Sequence, residues 1–148
     1  LRPGDRQVID ILAKRFAGSP GRALLIDYGP AQSEPGDTLQ AIRAHQKVPA
    51  LEQPGSADLT ARVDFESLIA CANEGGLTAY GPVEQGAFLL NLGIESRAAV
   101  LSQAKPGQRS VIARQVWRLT DEQQMGRLFK LVCFDSADLA TPPGFAAH

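Results

Sequence analysis

The amino-acid sequence predicts an α/β layer fold, in which helices pack on a sheet. Strand-like and helix-like segments alternate along the 148 residues, and such alternation is typical of α/β proteins. Residues 23–26, Ala-Leu-Leu-Ile, form a short apolar run that suits a strand covered on both faces, as in a parallel sheet. The chain is 44% hydrophobic and 21% charged, which is ordinary for a globular domain. No linker divides the sequence, so we expect residues 1–148 to form a single segment.

Hydrophobic spacing and turn residues set the predicted elements. A helix is expected over 64–73, where Asp64 stands at the N-cap position. A weaker helix is expected over 37–47, because Leu39 and Ile42 are three residues apart. The remaining elements are, in chain order, a helix at 5–16, a strand at 23–27, a loop at 48–57, a strand at 77–83, helices at about 85–92, 95–104 and 109–119, and a strand at 127–134.

Three strands with this many helices make a thin sheet. At least one edge of that sheet would be long and apolar, and such edges pair with other chains unless something covers them. The strand at 23–27 is apolar on both faces and follows a helix. We therefore expect it to be an inner strand whose second neighbour is missing from this segment.

Charge and cysteine content exclude several function classes. There are 15 basic and 16 acidic side chains, a net charge of −1, so we expect neither a nucleic acid nor a membrane as partner. Cys71 and Cys133 lie in apolar stretches without a CxxC pair or zinc-type spacing, so we expect reduced core thiols and no metal site. The first residues do not form a signal peptide. We expect a cytoplasmic protein of bacterial type, and a mitochondrial location remains an alternative.

Several motifs occur together in this sequence: IDYG at 26–29, GDTL at 36–39, ADLTARVDF at 57–65, GPVEQGAFL at 81–89, MGRLFK at 125–130 and PPGF at 142–145. In order and spacing they resemble the C-terminal half of the MidA-like S-adenosyl-L-methionine (SAM)-dependent methyltransferases. This family includes the mitochondrial arginine methyltransferase needed for assembly of respiratory complex I. The resemblance covers nearly the whole chain, and it is specific because the motifs occur in combination.

The resemblance implies the C-terminal part of a Rossmann-like methyltransferase sheet. The strands at 23–27, 77–83 and 127–134 would be its fifth, sixth and seventh, the seventh antiparallel and inserted between the other two. The family places its glycine-rich cofactor loop in the N-terminal half, and no strand–GxGxG–helix unit occurs in this sequence. The resemblance thus implies that SAM is the cofactor of the full-length enzyme, and that this segment alone binds it weakly or not at all.

Polar residues near strand ends and turns are the candidates for substrate binding. Asp27 and Tyr28 follow the apolar run, where open α/β sheets bind ligands, and a carboxylate suits an arginine acceptor because it pairs with guanidinium. Asp58 and Thr60 follow a Pro-Gly turn, and Gln85 follows the strand at 77–83. Each of these residues has a structural alternative, such as capping or turn hydrogen bonds. No residue is identified as catalytic or as a cofactor ligand.

Two other hypotheses stay open. The chain could be a non-catalytic module that binds a partner through the exposed strand edge and the helix of Trp117. It could also be a different small α/β enzyme that uses Asp27, Asp58 and Asp64 as acid–base groups. The leading prediction is part of a methyltransferase that methylates a protein side chain, with arginine as the expected acceptor and a protein as the substrate.

Overall fold

A computed structural model describes residues 3–136 and 139–145. It has the mixed helices and strands of an α/β fold, as predicted, and a short 3-10 turn precedes α5. In chain order they are α1 (Pro3–Gly18), β1 (Arg22–Tyr28), β2 (Leu39–Arg43), β3 (Gln46–Val48), β4 (Asp58–Ala61), α2 (Phe65–Glu74), β5 (Thr78–Glu84), α3 (Gln85–Asn91), α4 (Ile94–Ala104), α5 (Arg109–Thr120), α6 (Met125–Leu128) and β6 (Phe129–Asp135).

The main sheet has the order β1-β6-β5, with β6 antiparallel to both neighbours. The predicted insertion of an antiparallel last strand between the other two is therefore confirmed. Asp135 of β6 pairs with the first residue of each outer strand, and Lys130 pairs with Asp27 on one side and Glu84 on the other. Because β1 and β5 run in the same direction, their carboxyl ends meet at one edge of the sheet.

A second, smaller sheet with the order β3-β2-β4 occupies the region in which a helix was predicted over 37–47. That prediction is wrong. Ala44 and His45 take positive φ angles of 50° and 63°, the left-handed turn that suits the twist of a two-stranded hairpin. The chain therefore reverses after Arg43, and the apolar pair Leu39 and Ile42 belongs to a strand. Pairing of β2 with β4 also places Asp58 and Thr60, which follow the predicted loop, in a strand.

The core lies between the main sheet and the helices α1 and α2. Val132 and Phe134 of β6 are fully buried there against Ile9 of α1 and Phe65 of α2, and the cluster is completed by Leu68, Cys71, Ala72 and Leu77. The predicted N-cap of α2 is confirmed, since the Asp64 carboxylate accepts a hydrogen bond of 3.0 Å from the Ser67 backbone N–H. Both cysteines are buried.

The opposite face of β1 is open. Leu24 and Ile26 are 47% and 52% exposed, while their cross-strand partners Cys133 and Leu131 are buried. The helices α3 and α6 contact the sheet over β5 and β6, so they shield the middle strand and leave the outer one bare. The expectation that 23–26 is covered on both faces is therefore not met among the described residues.

An ion pair joins the N-terminal end of β1 to the C-terminal end of β6. Arg22 Nε and Nη2 donate to the two carboxylate oxygens of Asp135 at 2.7 and 2.6 Å, and Asp135 is 1% exposed. Burial alone would raise the pKa of Asp135, but the hydrogen bonds from Arg22 and Cys133 outweigh it and hold that pKa below its ordinary value. Burial of the Cys133 thiol, together with its hydrogen bond to Asp135, raises the pKa of this thiol to about 12.

In the part of the chain that the structure describes, no helix has the length and apolar character needed to cross a bilayer.

Candidate functional site

An open cleft of about 800 Å³ lies at the edge where β1 and β5 end. Its walls come from the loop after β1, the end of β5, the loop before α6, and α6 itself. The lining combines polar and apolar surface and carries both signs of charge, with Tyr28, Glu34, Arg62, Glu84, Glu122, Arg127 and Lys130 among its residues. This is the edge at which open α/β sheets place their ligands.

Tyr28 lines the cleft and is held there by contacts with three other residues. Its carbonyl oxygen accepts a hydrogen bond of 3.0 Å from the Val63 backbone N–H. Its ring packs edge-on against Phe129, with the ring centroids 6.0 Å apart, and its hydroxyl is hydrogen-bonded to the Thr60 hydroxyl. The backbone at Val63 comes so close that the position after Tyr28 requires glycine, because a Cβ on Gly29 would lie 2.1 Å from the Val63 carbonyl oxygen.

Two exposed ion pairs border the cleft. Glu84 Oε1 lies 3.7 Å from Arg127 Nε, and Glu34 Oε2 lies 3.1 Å from Arg62 Nη1. All four side chains are at least one-third exposed, and pairs of this kind contribute only about 0–1 kcal/mol. A charged ligand can therefore replace one partner at low cost, so these carboxylates are available for binding.

The loop between α5 and α6 forms the rim on one side of the cleft and presents Glu122 to it. At the start of this loop, the Asp121 carboxylate accepts a hydrogen bond of 2.9 Å from the Gln123 backbone N–H. Its end packs so closely that a Cβ on Gly126 would lie 2.2 Å from the Thr120 carbonyl oxygen. No ion pair or hydrogen bond of the Glu122 side chain is present among the described residues.

The structure brings two of the five predicted substrate residues together. Tyr28 lines the cleft, and Thr60 contacts its hydroxyl. Asp27 accepts a hydrogen bond of 2.8 Å from the Tyr28 backbone N–H and lines a separate, mostly apolar groove of about 340 Å³. Asp58 is exposed at the start of β4. Gln85 is buried and donates from Nε2 to the Leu119 carbonyl oxygen at 2.9 Å.

Sequence reasoning missed the charged residues of the cleft. Glu84 could have been found by the same rule that selected Asp27, since it ends the strand β5. Glu34, Arg62 and Glu122 have no comparable signal. They come from loops that are far apart in sequence, and only the fold brings them to one cleft.

Comparison with known proteins decides the family. Residues 1–83 match the profile of a family described as "putative S-adenosyl-L-methionine-dependent methyltransferase". The chain belongs to this methyltransferase family. It is 41% identical to the mitochondrial protein arginine methyltransferase NDUFAF7 homolog of Drosophila melanogaster over 97% of its own length and 32% of that relative's. The human mitochondrial protein arginine methyltransferase NDUFAF7 is 36% identical over 82% of this chain and 28% of its own length.

Two solved structures share this fold. A protein from Burkholderia thailandensis crystallised with S-adenosyl-homocysteine superimposes with a TM-score of 0.79 at 27% identity, over 95% of this chain and 38% of that one. A second Burkholderia thailandensis structure gives a TM-score of 0.82 at 26% identity, over 95% of this chain and 39% of that one. The chain thus spans about a third of the length of the curated relatives that it matches.

The described residues fit an acceptor site better than a cofactor cradle. Dinucleotide-like cofactors need a glycine-rich turn from a strand into a helix, where backbone N–H groups face the ligand. In this structure β5 passes directly into α3 at Glu84 and Gln85, and β1 leads into the loop that begins at Gly29. The cleft instead presents three carboxylates, three cationic side chains and a phenol ring, and of these the carboxylates and the ring are groups that bind a cationic side chain.

Proposed function

We propose that this chain forms the acceptor-binding part of a SAM-dependent protein methyltransferase whose acceptor is an arginine side chain. The observation that carries the proposal is the cleft where β1 and β5 end, with three carboxylates and Tyr28 in its lining. Its support comes from the sequence match, since relatives named as protein arginine methyltransferases are 36–41% identical to the chain.

The cleft has the groups that an arginine acceptor requires. A guanidinium carries five N–H donors in a plane, and carboxylates accept them in pairs. Glu34, Glu84 and Glu122 lie on different walls of the cleft, so they can hold and orient the guanidinium. Tyr28 adds an aromatic ring whose direction is set by Phe129 and Thr60. Methyl transfer from a sulfonium depends chiefly on such orientation of the two reactants.

We further propose that residues outside this chain hold the cofactor and complete the main sheet. SAM supplies the methyl group in such enzymes, and the described residues do not form its glycine-rich cradle. Leu24 and Ile26 offer an apolar surface on the open face of β1. The groove that Asp27 lines is also mostly apolar. A neighbouring strand and helix of the same domain would cover both, and Asp27 would then lie at the boundary between the two parts.

We propose the bacterial cytoplasm as the compartment of this protein, in keeping with its reduced core cysteines. The animal relatives described above carry mitochondrial names. Subcellular fractionation of the source cells, with an antibody against the chain, tests this assignment. Recovery in a mitochondrial fraction would contradict it.

Isothermal titration calorimetry with SAM tests whether residues outside this chain hold the cofactor. The chain alone is compared with the chain preceded by the N-terminal half that its relatives possess. We expect binding only by the longer protein. Tight binding by the chain alone would show that the cofactor site lies within these residues, in the loops at 28–36 and 54–64.

A partner-binding module without catalysis is the second candidate, and the half-exposed Trp117 and the open face of β1 favour it. Failure of both proteins to bind SAM would reject the methyltransferase proposal and support this alternative.

A further inference from the structure

The helices α4 and α5 lie at the surface of the described structure. Neither helix contains a buried residue, and α5 packs on α3 and α6 rather than directly on the main sheet. A groove of about 360 Å³ runs between α4 and α5, with small or apolar side chains such as Ala98, Ala99 and Val116 along it. The indole of Trp117 lies in this groove and is 50% exposed.

We propose that this groove docks a segment of the protein substrate that carries a basic side chain close to the arginine to be methylated. The proposal rests on the proposed function, because it gives the acceptor protein a second contact beside the cleft. For brevity we call the surface formed by Glu95, Trp117, Asp121 and Glu122 the tryptophan track.

The charge of the tryptophan track selects a basic occupant. A hollow of about 470 Å³ adjoins the groove, and Glu95, Trp117, Asp121 and Glu122 all line it. Neither the groove nor the hollow has a lysine or arginine in its lining. The arginines of α5, at positions 109, 114 and 118, line neither of them. An indole flanked by carboxylates attracts a guanidinium or ammonium through both the ring face and ion pairing.

The tryptophan track is continuous with the cleft. Glu95 and Trp117 line both the groove and the hollow, and Glu122 and Gln123 line both the hollow and the cleft. A substrate segment can therefore run from the cleft, over the loop before α6, to the groove between α4 and α5. Because the contacts on this path are shallow and exposed, we expect them to add specificity for basic flanking residues with moderate affinity.

The single tryptophan of the chain makes the test direct, since Trp117 is the only indole in the sequence. The emission of Trp117 is followed during titration with a short glycine–arginine peptide with blocked ends. The control peptide carries citrulline at each arginine, which keeps the shape of the side chain and removes its charge. We expect a saturable change in emission with the arginine peptide, weakened by added salt, and at least a fivefold weaker response with the citrulline peptide.

Variants locate the binding on the tryptophan track. Glu95→Gln and Asp121→Asn should each weaken the binding of the arginine peptide about two- to fivefold, as expected for single exposed charge pairs. Glu74→Gln on α2, which lies outside the groove and the hollow, is the matched control and should leave the affinity unchanged. Trp117→Phe, measured by anisotropy of a labelled peptide, should weaken binding by a similar factor because it reduces the cation–π attraction.

Equal responses to the arginine and citrulline peptides, or equal effects of Glu74→Gln and Glu95→Gln, would overturn the proposal. The titration contains no SAM and no methyl transfer, so its failure is distinct from failure of the proposed function. If the longer protein binds SAM and methylates arginine while Trp117 does not respond to the peptide, then only the docking proposal is wrong.

Discussion

The core beneath α1 and α2 and the outer helices α4 and α5 differ in how completely they are packed. On the side of α1 and α2, Ile9, Phe65, Val132 and Phe134 have no exposed surface. On the other side of the main sheet, α3 and α6 shield the middle strand, while α4 and α5 farther out contain no buried residue and Trp117 is half exposed. We therefore expect stability to depend mainly on the core and little on the outer helices, whose surface is free to bind other molecules. The predictions below test that contrast.

The largest effect is expected in the sealed core. Phe134→Ala should lower the free energy of unfolding by about 3–5 kcal/mol, because it removes a fully buried ring and leaves a cavity. Val100→Ala on α4, where the side chain is 58% exposed, is the control and should change stability by no more than about 0.5 kcal/mol. Urea denaturation measures both. Comparable losses of stability in the two variants would contradict the contrast between the core and the outer helices.

The next effect concerns the ion pair at the end of β6. Asp135→Asn should lower stability by about 2 kcal/mol at neutral pH, because a buried carboxylate bonded to Arg22 is replaced by a neutral amide. The folded pKa of Asp135 is depressed, so its contribution is complete above the ordinary value of 3.8 and is lost as pH falls through the folded pKa. Urea denaturation of the wild type and Asp135→Asn from pH 7 to pH 3 should show that the difference between their free energies of unfolding becomes smaller. If that difference did not depend on pH, the ionised carboxylate would not be the source of the stability.

A smaller effect appears at alkaline pH. The pKa of Cys133 is raised from 9.0 to about 12 in the folded chain. Between these values the unfolded chain loses the thiol proton first, so the stability that depends on the neutral thiol declines as pH rises. At pH 10 the wild type should have lost about 1 kcal/mol more than Cys133→Ala, relative to pH 8. Parallel pH profiles of the two proteins would show that Cys133 ionises as readily in the folded state.

The smallest effect on stability is expected on the outer helix α5. Trp117→Phe should change the free energy of unfolding by less than about 1 kcal/mol, because half of the indole is already in contact with water. Thermal denaturation followed by circular dichroism measures the change. A loss close to that of Phe134→Ala would show that Trp117 is a core residue, and the tryptophan track would then lack a free indole.

Much of the main sheet could be predicted from the sequence because its elements have strong local patterns. The helix of Asp64 and the apolar strand that ends at Asp135 are examples, while the antiparallel insertion of β6 came from the family resemblance. The small sheet was missed because β2 and β3 are short and their turn at Ala44 and His45 has no glycine or asparagine to mark it. Its pairing with β4 also depends on residues about twenty positions away.

The candidate site was predicted less completely than the fold. Tyr28 was identified because it ends an apolar strand, and Thr60 because it follows a turn. Glu34 and Glu122 reach the cleft from loops whose sequences carry no periodic pattern. Gln85 looked like a ligand at a strand end, yet its side chain is occupied by the Leu119 carbonyl oxygen inside the fold. Local pattern indicates where a strand ends, while the direction of a side chain depends on packing.

The central claim is that the cleft holds the methyl acceptor. Steady-state methyl transfer from labelled SAM to an arginine peptide tests it most directly, with the longer protein as wild type, Tyr28→Phe, Glu84→Gln and the control Glu74→Gln. We predict that Tyr28→Phe and Glu84→Gln lower kcat/KM for the peptide by about tenfold while the Kd for SAM and the control stay unchanged. Loss of SAM affinity with an unchanged KM for the peptide would contradict the account, because the cleft would then belong to the cofactor.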